Sequence, residues 1–278
     1  MERSVRLALV MAALAVLLLG AALGATGQKE PSRVLNFALA GNPDTLDPHK
    51  TAGTLTFQTL KSIYDTLVEP DMEGKIGPAL AESWDISADL LTWTFTLRRE
   101  VLFHNGEKLA SKDVKATLER IASKATASPK AAEFAAISTI ETPDDYTVVL
   151  KLAKPAVALL SSLASGWGAI LPKSLIDAGH DFGAKPVGTG PFVFKEWVRD
   201  NKIVLERNPN YWLKGLPKLD AVVLHIIPER AVQVQGLVSG QIDATEAVDV
   251  ESLPVLEASP DVTVHKMLTS LVLVMAMN

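Results

Sequence analysis

The stretch LTWTFTL, residues 91–97, alternates without a slip: Trp93, Phe95 and Leu97 fall on one side, and Thr92, Thr94 and Thr96 on the other. A period of two in aromatic and β-branched residues marks a strand covered on one face. DYTVVLKL, residues 145–152, repeats the pattern with Tyr146, Val148, Leu150 and Leu152 inward. The chain must therefore hold a sheet with one packed side, and the remaining segments must supply the packing.

Those segments mix strand and helix. RVLNFALAG (33–41) reads as a first strand closed by the turn-rich GNPDTLDPH. Leu60, Ile63, Tyr64 and Leu67 share one helical face, which predicts a helix over 54–67. After the Asn105-Gly106 turn, Ser111 is the expected N-cap of a helix; Asp113 suits its positive end, and Val114, Leu118 and Ile121 line its face. An apolar helical segment, 156–164, breaks at Gly166 and Gly168. PVGTGPFVF and KIVLER predict two further strands, and AVVLHII another, ended by Pro228. Residues 229–239 read as a helix burying Val234, Leu237 and Val238, with Gly240 at its C-terminal position. VTVHKML and the final SLVLVMAM read as strands. The expected fold class is α/β, mixed α+β, with hairpins and crossover helices interleaved.

Arg3 and Arg6, the apolar run 7–19 and the small residues 20–25 have the layout of a cleaved secretory signal, cut between Gly24 and Gly27. A membrane anchor is the alternative, but the run is shorter than the roughly 20 residues a span needs. The chain has no cysteine, hence neither disulfides nor a lipoprotein thiol. The expected product is free in a periplasm. A formal charge of −5 gives no reason to expect nucleic acid.

Signs of catalysis are sparse. His49, His104, His180, His225 and His265 are scattered without metal-ligand spacing, and no metal site or cofactor is expected. VGTGPF lacks the Lys-Ser/Thr of a phosphate loop and runs into a strand, so Gly188 and Gly190 read as backbone geometry. Asp144-Asp145 reads as a solvated turn. An enzyme without a nucleophile, metal or phosphate signature is disfavoured, and the alternative is an exported, non-catalytic binding module; composition alone does not decide between them.

Several stretches, in one order, resemble the extracytoplasmic solute-binding proteins of ABC transporters that bind peptides and nickel, family 5. They are NPDTLDPH, IYDTLVE, PALAESWDIS, LTWTFTLRREVLFHNGEKLASKDV, PVGTGPFVFKEW, LERNPNYW and GLVSGQIDA. Trp84, Trp93, Phe95 and Phe103 look like a cluster anchoring a sheet, so the long signature reads as architectural. The resemblance implies a periplasmic-binding-protein type II-like lobe with an extra N-terminal subdomain. Residues 28–70 and 184–278 would form the lobe and 71–183 the subdomain, following a signal peptide at 1–27. The distal lobe would be missing, and residues 28–278 made alone are expected to be poorly soluble or oligomeric, because the terminal strand lacks its cover. It further implies a non-enzymatic subunit of an ABC importer, with a peptide or other small solute and the permease as partners. Asn42, Asp44, Thr45 and Leu46 are the expected ligand-facing residues; an Asx-type turn is the competing reading of Asp44 and Thr45. The rival functions are a nickel or metal-chelate binder, a secreted hydrolase with an unfamiliar site, and a scaffold.

Overall fold

The computed structural model describes residues 33–266 except Met72 and Ala247. The expected signal peptide and the final apolar strand lie outside the described residues. In chain order the helices and strands are β1 (Val34–Leu39), α1 (Thr54–Leu60), β2 (Val68–Pro70), β3 (Ile76–Pro78), β4 (Ala81–Ile86), β5 (Thr92–Leu97), α2 (Ser111–Ala122), α3 (Ala131–Phe134), β6 (Ile137–Asp144), β7 (Thr147–Leu152), α4 (Leu159–Ala164), α5 (Lys173–Asp177), β8 (Phe192–Val198), β9 (Lys202–Arg207), β10 (Ala221–Ile226), α6 (Arg230–Ser239), β11 (Ala244–Thr245) and α7 (Leu253–Glu257).

β4, β5, β7 and β6 form an antiparallel four-stranded sheet. The alternation read in residues 91–97 is the burial observed: Trp93, Phe95 and Leu97 are at most 3% exposed. With Val148 and Leu150 of β7 they pack on Val114, Leu118 and Ile121 of α2 and on Phe103, while Trp84 covers the margin. A second sheet has the order β11-β1-β10-β9-β8, in which β11, β1 and β10 run parallel. Its core gathers Leu39, Leu46, Leu60, Ile63, Ile203, Leu205 and Leu224.

The short motifs join the two sheets. The main chain of Ser62 and Ile63 accepts hydrogen bonds from the N–H groups of Phe192 and Gly190, both 2.9 Å long. A Cβ at Gly188 would sit 2.2 Å from the Ile63 carbonyl oxygen, and one at Gly190 2.6 Å from it. The glycines of VGTGPF are thus sites of close backbone approach. His104 of FHNG donates from Nε2 to the Gly190 carbonyl (3.0 Å) and accepts at Nδ1 from Gly188 N–H (3.3 Å). Asn208 of NPNYW donates to the same carbonyl at 2.9 Å. Asp65 of IYDTLVE accepts from the Thr189 hydroxyl and the Trp212 indole, at 2.8 and 2.9 Å.

Four expectations need correcting. The helix predicted over 54–67 stops at Leu60, because the main chain at Ser62 and Ile63 is taken by residues 190–192. Its apolar stripe is nevertheless buried, from Leu60 to Leu67. Ser111 is not an N-cap: Ala110 holds that position, Asp113 accepts the Ala110 N–H at 2.8 Å, and the Ser111 hydroxyl donates to the Asp144 carbonyl. In α6, Val234 is buried, but Val238 is 49% exposed while Gln233 and Gly236 turn inward. Gln233 bridges the Ile227 carbonyl and the Thr245 hydroxyl, both at 2.6 Å, and Gly236 admits the Ile242 side chain, which fixes the helix's rotation. Residues 262–266 of the predicted strand VTVHKML are irregular.

Candidate functional site

Three parallel strands, β11, β1 and β10, end on the same edge of the larger sheet. In open α/β sheets ligands settle outside the carboxyl ends of parallel strands, where the loops diverge. The longest of the loops there, residues 40–53, follows β1. It is held by its own polar side chains. Asp44 Oδ1 accepts from the Thr51 hydroxyl (2.7 Å), the Thr56 hydroxyl and the Thr45 N–H (3.0 Å), and Oδ2 from the Ala52 N–H (3.3 Å). Burial alone pushes the Asp44 carboxyl up, but these bonds, led by Thr56 and Thr51, outweigh it and hold its pKa below the usual range. Asp44 is therefore an exposed, ionised carboxylate at neutral pH.

The other expected site residues are placed as follows. The Asn42 side chain donates to Asp200 Oδ1 at 2.6 Å and accepts from the Trp197 indole at 3.2 Å, pinning the loop to the β8–β9 hairpin. Thr45 accepts the Asp47 N–H at 3.1 Å. Thr45 thus bonds the main chain two residues on, whereas Asp44 reaches its neighbour and, across the loop, Ala52 and two threonine hydroxyls. Leu46 is fully buried in the core of the larger sheet, so its side chain faces protein and not solvent.

Deeper in the loop, Asp47 takes Arg120 of α2 in a two-pronged pair, at 3.0 and 2.6 Å. The same guanidinium donates to His49 Nδ1 at 2.7 Å, and His49 Nε2 donates to the Ala169 carbonyl at 2.9 Å. Burial first, then the Arg120 charge, press the His49 pKa down to about 4, so the ring is neutral and structural. His225 likewise bonds to Asn36, at 3.0 Å. Among the described residues no group of three or more His, Cys, Asp or Glu side chains is arranged to hold a metal ion.

Beside the loop stands Trp167, a residue that sequence reasoning passed over. Its indole donates to the Thr51 carbonyl at 2.8 Å, its ring meets Phe57 edge-on at 4.5 Å, and Lys130 Nζ lies 4.6 Å from the ring centroid. Both neighbouring glycines are required by contact: a Cβ on Gly166 would fall 2.2 Å from the Phe57 ring, and one on Gly168 2.9 Å from the Leu163 carbonyl. The signal was the run SGWG, a tryptophan between two glycines outside any periodic segment. An ionised carboxylate and a half-buried indole thereby meet at residues 51–53, and on the indole stands Lys130, whose ammonium is paired with Glu133 at 2.5 Å. The loop and the indole offer a negative charge and a flat apolar face, the chemistry of non-covalent capture of a polar solute.

Residues 75–278 match the sequence profile of bacterial extracellular solute-binding proteins, family 5, middle region. The chain belongs to that family. A glutathione-binding protein, GsiB of Salmonella choleraesuis, is 31% identical over 220 residues, which is 79% of this chain and 43% of GsiB. Among solved structures, AgaA of A. tumefaciens R10 in complex with agropinic acid is 37% identical with a TM-score of 0.78, over 82% of this chain and 46% of AgaA. DppA of Helicobacter pylori, an ABC transporter-associated periplasmic binding protein in complex with the peptide STSA, is 34% identical with a TM-score of 0.75, over 82% of this chain and 49% of DppA. The mixed α/β fold is that of the periplasmic binding proteins, and the chain spans less than half the length of these relatives. No helix among the described residues is long and apolar enough to cross a membrane.

Proposed function

We propose that this family 5 protein is the periplasmic capture subunit of an ABC importer and that its solute is a small peptide, delivered to a membrane permease whose ATPase is a separate chain. The edge of the larger sheet is its share of the binding cleft, with Asp44, Thr51–Gly53, Trp167 and Lys130 facing the solute. Asn42 and Thr45 set the loop. The carrying observation is that relatives about one-third identical over four-fifths of this chain include a glutathione-binding protein, glutathione being a tripeptide, and a protein in complex with a tetrapeptide. The Asp44 carboxylate and the Trp167 indole on one loop support it, because a peptide presents an ammonium and amide faces together, and its carboxylate would compete with Glu133 for Lys130.

Calorimetry and thermal melts of the full chain with glutathione, the tetrapeptide Ser-Thr-Ser-Ala, agropinic acid and a nickel–histidine chelate test this reading. Peptides are expected to raise the Tm without being cleaved. Lys130→Ala should weaken peptide binding about tenfold, the value of one hydrogen bond to a charged group. Response to the chelate or the opine alone, or turnover of the peptide, would overturn it.

A further inference from the structure

A cavity of about 280 Å³ opens between the end of α1, strand β2 and the turn carrying Tyr211, and none of residues 40–53 lines it. Phe57, Tyr64 and Tyr211 line it together with Asp65, Glu69 and Lys61. Among the lining residues one lysine stands with two carboxylates, and the Arg98 charge also reaches Glu69. Burial raises the pKa of Asp65 and of Glu69, and the Asp65 charge pushes Glu69 further up.

The hydrogen bonds of Asp65 are lopsided. Its Oδ2 receives both the Thr189 and Trp212 donors, whereas Oδ1 has, among the described residues, only the Tyr211 hydroxyl at 3.4 Å. An O–H···O bond ordinarily closes to about 2.7–2.8 Å, so Oδ1 keeps acceptor capacity. The Glu69 carboxylate, exposed at the rim, makes no hydrogen bond or ion pair within the described residues. Arg98 closes no ion pair with Glu69, its Nε donating to the Ala79 carbonyl at 2.6 Å and its guanidinium lying 4.9 Å from the Trp212 ring centroid, although its charge acts on Glu69. Aromatic faces attract cations through the ring quadrupole, and carboxylates add charge and acceptors. An anion would meet two carboxylates on the wall, and a solute without a donor would leave the open acceptors of Asp65 Oδ1 and Glu69 unmatched.

We propose that this cavity is a second binding site, distinct from the β1 loop, for a small organic ammonium ion. The ammonium group sits on Asp65 Oδ1 and the Glu69 carboxylate, and the apolar body lies against Phe57, Tyr64 and Tyr211. The site stands whether or not the solute of the β1 loop is a peptide.

The test is calorimetry on the full chain with 2-phenylethylammonium, 2-phenylethanol and 3-phenylpropionate, with glutathione as competitor. The ammonium probe is expected to bind at least tenfold more tightly than the alcohol, and the carboxylate not at all. Glu69→Gln, an exposed change that leaves the fold alone, should weaken the ammonium about fivefold. It should leave the response to glutathione unchanged. Equal binding of the three probes, no binding of the ammonium probe, unchanged affinity in Glu69→Gln, or displacement by glutathione would each overturn the proposal.

Discussion

At the scale of single residues, the close approach of two backbones is the sharpest constraint. A methyl group at Gly188 would overlap the Ile63 carbonyl, and backbone cannot rotate aside as a side chain can. Gly188→Ala is expected to cost about 3 kcal/mol, overpacking of this kind ranging around 1–3. Gly77→Ala, whose new methyl would find its nearest neighbour at 3.9 Å, is the control and should change little. Denaturant melts of the two variants check this; equal losses would sink it. His49 gives a pH prediction. Its folded pKa of about 4 lies below the ordinary 6.5, so the unfolded chain binds more protons between these values. Its contribution is fully present above pH 6.5 and is lost as pH falls toward 4, on the order of 3 kcal/mol in all. Asp65 and Asp113, whose pKa values are raised, work in the opposite direction, so the His49 part is read as a difference. Wild type should lose stability relative to His49→Gln as pH drops from 7 to 4. Parallel pH curves would refute the assignment. In the sequence, VGTGPF was legible as backbone geometry, a tight entry into a strand, but the glycines have Ile63 as their reason, and a partner more than a hundred positions away leaves no local trace. The same limit hid Trp167, whose neighbours come from residues 51, 57 and 130.

At the scale of elements, periodicity succeeded where packing is simple. β5 and β7 each face one core, and their alternating residues are buried as the spacing requires. It failed where a polar side chain settles a helix's rotation, as Gln233 does in α6, because a composition-based stripe counts glutamine as outward-facing. Helix α2 shows the same confusion at its start. Serine is the usual cap, yet here Asp113 gathers the N–H groups of Ala110 and Lys173, each at 2.8 Å, while Ser111 serves a neighbouring strand. Asp113→Ala should therefore cost about 2 kcal/mol, the upper end for a lost cap with a second buried donor stranded. Ser111→Ala should cost about 1 kcal/mol, the worth of one ordinary hydrogen bond. Reversal of that order in urea denaturation would return the capping role to Ser111.

At the scale of the whole molecule, the two sheets have cores that share Val187 and are tied by polar contacts, several of them in the short motifs. Asp65 holds Thr189 and Trp212, His104 holds residues 188 and 190, and Arg120 of α2 grips Asp47 and His49 of the β1 loop. These groups are polar and largely buried, so breaking one leaves its partners unsatisfied, which costs more than the bond contributes. The two sheets should therefore open together. In native-state hydrogen exchange at increasing denaturant, amides of β5 and β7 are expected to merge onto the same opening free energy as those of β9 and β10. His104→Ala removes a donor and an acceptor at the joint without touching either core. In that variant the two sets should separate, the four-stranded sheet and the larger sheet each reporting its own stability. Distinct opening energies in the wild type would mean that the motifs place the sheets side by side without coupling them, and the β1 loop could then shift independently of Trp167 and Lys130.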